Sequence, residues 1–271
     1  MPDTRTLISG PISIVEYRCA AGPAQRPVAE RHQAWSVSYV QRGSFGCRCL
    51  GVSLELVPGS VLLGRPGDKF TCTHEHHLGG DECLAVFLVP ALVDEIARGR
   101  PWASGALPPL PELMVLGELA RAAANGEADV GLDEAGLALA SRLATLAGGL
   151  EHAPHRPSGR DRRRAVESAL LIESRAAEPV DLAMLAAEAG LSPYHYLRMF
   201  SAALGVTPHQ YLLRCRLRHA ARLLAGEPRR AVTEVALDAG FADLSNFVRT
   251  FGRAAGVSPG RFRQRLGGRR P

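Results

Sequence analysis

One pattern occurs twice near the C-terminal end of this 271-residue chain, and it restricts the fold more than any other feature. Ala186-Ala-Glu-Ala-Gly-Leu-Ser-Pro-Tyr-His-Tyr-Leu-Arg-Met-Phe-Ser-Ala-Ala-Leu-Gly-Val-Thr-Pro208 returns as Ala236-Leu-Asp-Ala-Gly-Phe-Ala-Asp-Leu-Ser-Asn-Phe-Val-Arg-Thr-Phe-Gly-Arg-Ala-Ala-Gly-Val-Ser-Pro259. Gly190 pairs with Gly240, Phe200 with Phe251, Gly205 with Gly256 and Pro208 with Pro259. The offset grows from 50 to 51, so the second copy has one extra residue in its turn. Each copy reads as helix, glycine turn, helix. Glycine accepts the left-handed conformation that stops a helix. Ser192 then caps the next helix, and Pro193 suits its first position. Tyr196, Met199, Phe200 and Leu204 recur at helical spacing and predict the buried face. Tyr194, His195, Leu197 and Arg198 fall outside it. In the second copy Phe241, Phe247 and Phe251 point inward, and Leu244, Ser245, Asn246 and Arg249 outward. Two helices joined by a short turn, with polar residues early on the second, are the helix-turn-helix geometry. His209–Ala225 between the copies predicts a spacer helix about 25 Å long. That length is compatible with two reading helices entering groove segments about 34 Å apart.

Charge agrees with this reading. From Ser158 to Pro271 there are 19 Arg against 10 Asp and Glu, a balance of +9. The preceding residues carry 13 basic and 17 acidic groups, a balance of −4. A basic half joined to an acidic one points to a nucleic-acid-binding module attached to something else. Lys69 is the only lysine. Arginine suits bidentate contacts with phosphate and guanine. A GC-rich genome accounts for the Arg/Lys ratio, but not for the asymmetry.

Residues 161–265 resemble the DNA-binding domain of the AraC/XylS family. The resemblance rests on Ala-x-x-Ala-Gly-Leu-Ser-Pro and Arg198-Met-Phe, on Gly205-Val-Thr-Pro-His-Gln-Tyr, and on Arg216-Leu-Arg-His-Ala-Ala-Arg-Leu-Leu. Ala239-Gly-Phe, Phe247-Val-Arg-Thr-Phe and Gly256-Val-Ser-Pro complete it. It implies a transcriptional regulator with a bipartite DNA site, contacted by Ser192, Tyr194, His195, Leu197 and Arg198 in one copy and by Leu244, Ser245, Asn246 and Arg249 in the other. Ala242-Asp243-Leu244 departs from the more polar stretch common in the family. An acid beside the DNA predicts weaker base readout by the second copy.

The N-terminal part has a different texture. Trp35-Ser-Val-Ser-Tyr-Val, Phe45-Gly-Cys-Arg-Cys, Val52-Ser-Leu-Glu-Leu and Phe70-Thr-Cys-Thr-His-Glu-His alternate with period two. Gly43, Gly51, Pro58-Gly59 and Pro66-Gly67 separate them. Closely spaced strands of this kind predict a sandwich or small barrel. Cys83–Val89 reads as one more strand, buried on both faces. Leu92–Arg98, Pro111–Asn125 and Asp133–His152 read as helices, and the last carries a stripe of Leu137, Leu139, Leu143, Leu146 and Leu150. The prolines of His152-Ala-Pro-His-Arg-Pro-Ser-Gly-Arg predict an interdomain linker. Arg31-His-Gln-Ala-Trp-Ser-Val-Ser-Tyr-Val-Gln-Arg-Gly-Ser-Phe and Pro58-Gly-Ser-Val-Leu-Leu resemble the family's sensing domain. The expected fold is therefore α+β: a cupin-like β-barrel with a helical dimerisation segment over residues 1–153, and an all-α domain with two helix-turn-helix motifs over 161–266.

Six cysteines without a signal-peptide pattern do not suggest a disulfide framework. A cytoplasmic protein is expected. The longest apolar run, Cys83–Val93, is far short of the roughly 20 residues that span a bilayer. Cys72, His74 and His76 would share one face of a strand, with Cys83 returning to them after Gly79-Gly80-Asp81-Glu82. Thiolate and imidazole donors suit zinc, which makes Cys72, His74, His76 and Cys83 the candidate metal ligands. Gly67…His74-x-His76…Glu82 loosely resembles the cupin metal motif, with its spacing off at both ends. Thiol-based sensing without metal, or buried cysteines beside a solvated turn, fit the same residues.

The favoured function is a sequence-specific DNA-binding regulator that responds to a small-molecule, metal or redox signal. A metal-dependent cupin enzyme fused to a DNA-binding domain is the main rival, but there is no nucleophile–base pair or phosphate loop to support catalysis. A methyl-accepting DNA-repair activator would need paired cysteines, and Cys47-x-Cys49, Cys72 and Cys83 do not supply them. A purely architectural dimer is the third reading. Expected partners are double-stranded DNA, a second copy of the chain and RNA polymerase, with no membrane.

Overall fold

The computed structural model describes residues 2–77, 79–98, 101–128, 130–147 and 157–266. Ten strands and three helices come first: β1 (Asp3–Ile8), β2 (Ile12–Cys19), β3 (Ala29–Arg31), β4 (Trp35–Gly43), β5 (Phe45–Cys49), β6 (Val52–Leu56), β7 (Val61–Gly64), β8 (Lys69–Thr73), β9 (Asp81–Leu88), α1 (Pro90–Ala97), β10 (Gly105–Leu107), α2 (Pro111–Ala124) and α3 (Leu132–Ala147). Seven helices follow: α4 (Gly159–Ser174), α5 (Leu182–Glu188), α6 (Pro193–Leu204), α7 (Pro208–Gly226), α8 (Val232–Asp238), α9 (Leu244–Ala255) and α10 (Pro259–Leu266).

The strands form two antiparallel sheets, ordered β1-β2-β9-β4-β7-β10 and β3-β8-β5-β6. They face each other across Val40, Leu62 and Cys83 on one side and Phe45, Cys47, Cys49 and Leu56 on the other. The described strands thus make two facing sheets rather than the single closed barrel expected. The outer face of the larger sheet is covered by the three helices, with Ile14, Val37, Tyr39 and Val86 packed against Leu113, Leu139 and Leu143. β9 lies between β2 and β4, and its two faces enter different cores, Leu84, Val86 and Leu88 under the helices and Cys83 between the sheets, which explains its unbroken apolar run.

This layering corrects two expectations. Leu139 and Leu143, the centre of the stripe assigned to dimerisation, are fully buried in the chain's own core. Leu150, like residues 152–156 of the expected linker, lies outside the described residues. β8 ends at Thr73, so His74 and His76 sit in a turn and not on a common strand face. Among the described residues no helix is long and apolar enough to cross a membrane.

In the C-terminal part the repeat is visible as geometry. α5 and α8 start 50 residues apart and α6 and α9 start 51 apart, so the extra residue lies in the second turn. α7 joins the copies through a capping box in which Thr207 and Gln210 satisfy each other's backbone N–H. The first copy's core holds Tyr196, Phe200 and Tyr211 with Ala165 and Ile172 of α4, and the second holds Phe241, Phe247, Phe251 and Phe262.

Candidate nucleic-acid interface

The first reading helix, α6, starts where Ser192 Oγ accepts from His195 N–H at 3.4 Å. The same hydroxyl shares a 2.9 Å hydrogen bond with the His195 ring, which holds that ring at the helix start. Tyr194, His195 and Arg198 are exposed, while Tyr196, Met199 and Phe200 are buried. The Arg198 guanidinium lies 5.7 Å from the Tyr194 ring centre, a cation–π contact that holds the arginine over the outer face. Leu197 is half-buried. Pro193 has no N–H and that of His195 is used by the cap, so the exposed side chains and Arg198, more than free helix N–H groups, make a surface suited to phosphate and base edges.

The second reading helix, α9, is capped by Asp243, whose Oδ1 accepts from Asn246 N–H at 2.7 Å. The acid expected to weaken base readout is thus engaged in ending the turn, where the helix dipole favours a negative charge. Leu244, Ser245 and Arg249 are exposed and Asn246 is half-buried. Asn246 Oδ1 accepts from Arg249 at 3.4 Å and from Thr250 at 3.3 Å, so the asparagine orients the arginine. Exposed Val248 completes a face that combines polar and apolar contacts.

The N-terminal part grips this module. Arg218 of α7 is only 1% exposed. Its Nε donates to Glu118 of α2 at 2.6 Å, its Nη1 to Glu173 of α4 at 2.6 Å, and its Nη2 to the Gln41 carbonyl. Arg222, one turn further along α7, donates to the other Glu118 oxygen at 2.9 Å. Tyr39 Oη donates to Glu118 at 3.0 Å. Burial alone would raise the Glu118 carboxyl, but Arg218 and Arg222 outweigh it and hold the group down at about 2. Around this polar centre Val115 and Ala122 of α2 pack into the core of the second copy, and Val57 into that of the first. The only signal in the sequence was an acid within the apolar pattern of α2.

Beside the clamp is a cleft of about 240 Å³ lined by Arg18, Arg42, Arg121, Arg222, Gln41 and Glu82 among others. The Gln41 side-chain nitrogen is buried there without a hydrogen-bond partner.

The cysteine and histidine residues separate. His74 Nε2 lies 3.7 Å from Cys19 Sγ and 3.8 Å from Asp81 Oδ1, and Cys83 Sγ lies 3.5 Å from Asp81 Oδ2. Cys72 sits across from Cys47 in the β5–β8 pair. The His76 ring lies beside Gly159 at the start of α4. His77 bridges Ser44 and Glu55 at 2.8 Å each. So His74 and Cys83 meet near Asp81, joined by Cys19, a residue the spacing argument missed because it comes from a strand far away in sequence. Burial pushes the Cys19 and Cys72 thiols up and lifts Asp81 to about 6.

Two capped helix-turn-helix units on a shared spacer helix define a DNA-binding module. Residues 185–265 match the family described as a helix-turn-helix domain. The chain is 34% identical over 120 residues to the HTH-type transcriptional regulator GlxA of Rhizobium meliloti, covering 42% of this chain and 37% of GlxA. It is 37% identical over 86 residues to the bifunctional transcriptional activator/DNA repair enzyme Ada of Escherichia coli, covering 31% of this chain and 23% of Ada. A solved transcriptional regulator with an AraC-type DNA-binding domain, from Chromobacterium violaceum, is 26% identical, covering 41% of this chain and all of that one, with a TM-score of 0.37. The C-terminal module is thus an AraC-type helix-turn-helix domain, shared with proteins named as transcriptional regulators. It spans about a third of GlxA and under a quarter of Ada.

Proposed function

We propose that the whole chain is a sequence-specific transcriptional regulator. Residues 161–266 read double-stranded DNA, and residues 1–153, a divergent cupin-like unit, sense a small-molecule, metal or redox signal. The observation that carries this is the pair of outward-facing reading helices fixed on α7, with the N-terminal part clamped to that same helix through Arg218. The cleft beside Arg222 and the unpartnered Gln41 nitrogen support a small-molecule signal there, because a ligand would contact both sides of the clamp. Such a ligand acts only through a difference in affinity between the clamped and released states.

Both reading helices are on one chain, so the reading does not require a second copy. A homodimer, and contact with RNA polymerase, rest on the family resemblance, since the α3 stripe is largely used internally. The test is binding of the full chain to a selected operator and to random DNA across salt concentrations. Selection should enrich two short sequence blocks about one helical turn apart, with affinity that falls steeply as salt rises. Recovery of no enriched sequence would overturn the proposal. Sedimentation at micromolar concentration decides the oligomeric state.

A further inference from the structure

We propose that Cys19, His74 and Asp81 form a binding site for one thiolate-preferring divalent cation, with zinc the first candidate. Strand register and a turn bring the three together. Cys19 at the end of β2 pairs with Asp81 at the start of β9, and Cys83 lies two residues along β9 on the same face. His74 enters from the turn after β8. The Cys19 Sγ, His74 Nε2 and an Asp81 oxygen all lie within 4.8 Å of one another. Zinc bonds of about 2.3 Å to sulfur and about 2.0 Å to nitrogen or oxygen put tetrahedral donors roughly 3.3–3.8 Å apart. The observed 3.7 Å from His74 to Cys19 and 3.8 Å from His74 to Asp81 are of that size, and Cys83 Sγ, 3.5 Å from the other Asp81 oxygen, supports the carboxylate from outside the cluster.

The chemistry of the surroundings points the same way. Asp81 is a largely buried acid, and its ion-pair partner among the described residues is His74. Cys19 and Cys83 lie beside it, and among the described residues no arginine or lysine forms an ion pair with it. A divalent cation would displace the Cys19 thiol proton into the solvent, leaving a thiolate, a carboxylate and a neutral imidazole around the metal, with the fourth position open to water.

This site rests on the same regulatory reading but extends it, because the His74 turn is tied to the DNA-binding module. Arg163 of α4 donates to the Glu75 carbonyl at 3.3 Å. His77 meets Glu55 at 2.8 Å, and Glu55 meets Arg162 of α4 at 2.8 Å. Fixing His74 by a metal therefore fixes the turn that holds α4.

The experiment uses the full chain, reduced, stripped with chelator and dialysed against zinc or cobalt(II). One equivalent of zinc should be retained, and cobalt should give the near-ultraviolet absorption of thiolate coordination. Cys19→Ser and His74→Ala should each lower retention at least tenfold, with Cys215→Ser retaining metal as the parent does. Because a variant can fail to fold, the parent is also alkylated with iodoacetamide: zinc should protect Cys19 selectively, while the buried Cys83 is the same in both forms. Retention below a tenth of an equivalent, or equal alkylation with and without zinc, would overturn the site. So would metal retention that depends on Cys72 and His76 but not on Cys19. DNA affinity is measured separately on the zinc-loaded and stripped chain. Metal retained with unchanged affinity overturns the coupling and leaves the site, whereas loss of all DNA binding in both forms counts against the regulatory reading itself.

Discussion

The two helix-turn-helix copies share a template but are held differently. In the first, Gly190 has φ of +64° and open space around it, so glycine is needed only for the backbone turn. In the second, Gly240 has φ of +86°, and a Cβ there would stand 2.8 Å from the Ala176 carbonyl oxygen. Arg216 donates to that same carbonyl at 2.8 Å. The second copy's turn is therefore pressed against the end of α4, an element of the first copy. The copies also differ in cover: β6's neighbour Val57 touches the first core, whereas α2 lies along the second. Sequence repetition thus reports local geometry, while the attachments of each copy are individual.

The largest expected effect tests whether the copies nevertheless act as one body. Arg218 ties α4 and α2 to α7, so Arg218→Ala leaves Glu118 buried with part of its compensation gone, at a cost of about 3–5 kcal/mol. Hydrogen exchange should show protection falling in both copies together. A fall confined to one would make them independent. Acid should loosen the same clamp. The Glu118 carboxyl is held at about 2 in the folded chain, below its unfolded value, so its contribution is present above pH 4.5 and lost as pH falls towards 2. Thermal melts from pH 5 to 2 should steepen this loss in the parent relative to Glu118→Gln.

Next come the turns. Gly190→Ala should cost about 1–2 kcal/mol from backbone conformation alone. Gly240→Ala should cost more, because the Ala176 carbonyl must also move. Equal losses in denaturant melts would remove the difference drawn between the copies.

On DNA, Arg198→Ala and Arg249→Ala should each cost roughly 1–3 kcal/mol on the operator if they contact bases. Arg198 is steadied by Tyr194 and Arg249 by Asn246, and Asp243 is used as a helix cap, so the expectation of weaker base readout by the second copy loses its ground. Competition with random DNA checks each residue, and an equal loss on both DNAs marks a phosphate contact. The smallest effect concerns the caps. Ser192→Ala and Asp243→Ala should each cost about 1 kcal/mol of stability. The Asp243 change should be the more salt-sensitive, since a charge at a helix start is screened by salt.

The sequence by itself determined whatever depends on neighbours within a few turns of chain. Gly190, Ser192 and Pro193 announce a helix end and a helix start, and Phe247 and Phe251 mark a buried face, because capping and periodicity act over three or four residues. The twofold repeat raised these local signals to a DNA-binding module. Tertiary structure alone decided the rest. Glu118 and Arg218 stand 100 residues apart, and either alone reads as a surface charge; only docking α2 on α7 takes both out of water. The stripe of α3 is apolar whether it faces another chain or its own sheet, so its pattern could not distinguish a dimer contact from a core. Cys19 and Asp81 become neighbours through the β2–β9 register, which is set by hydrogen bonds between distant strands rather than by any spacing along the chain.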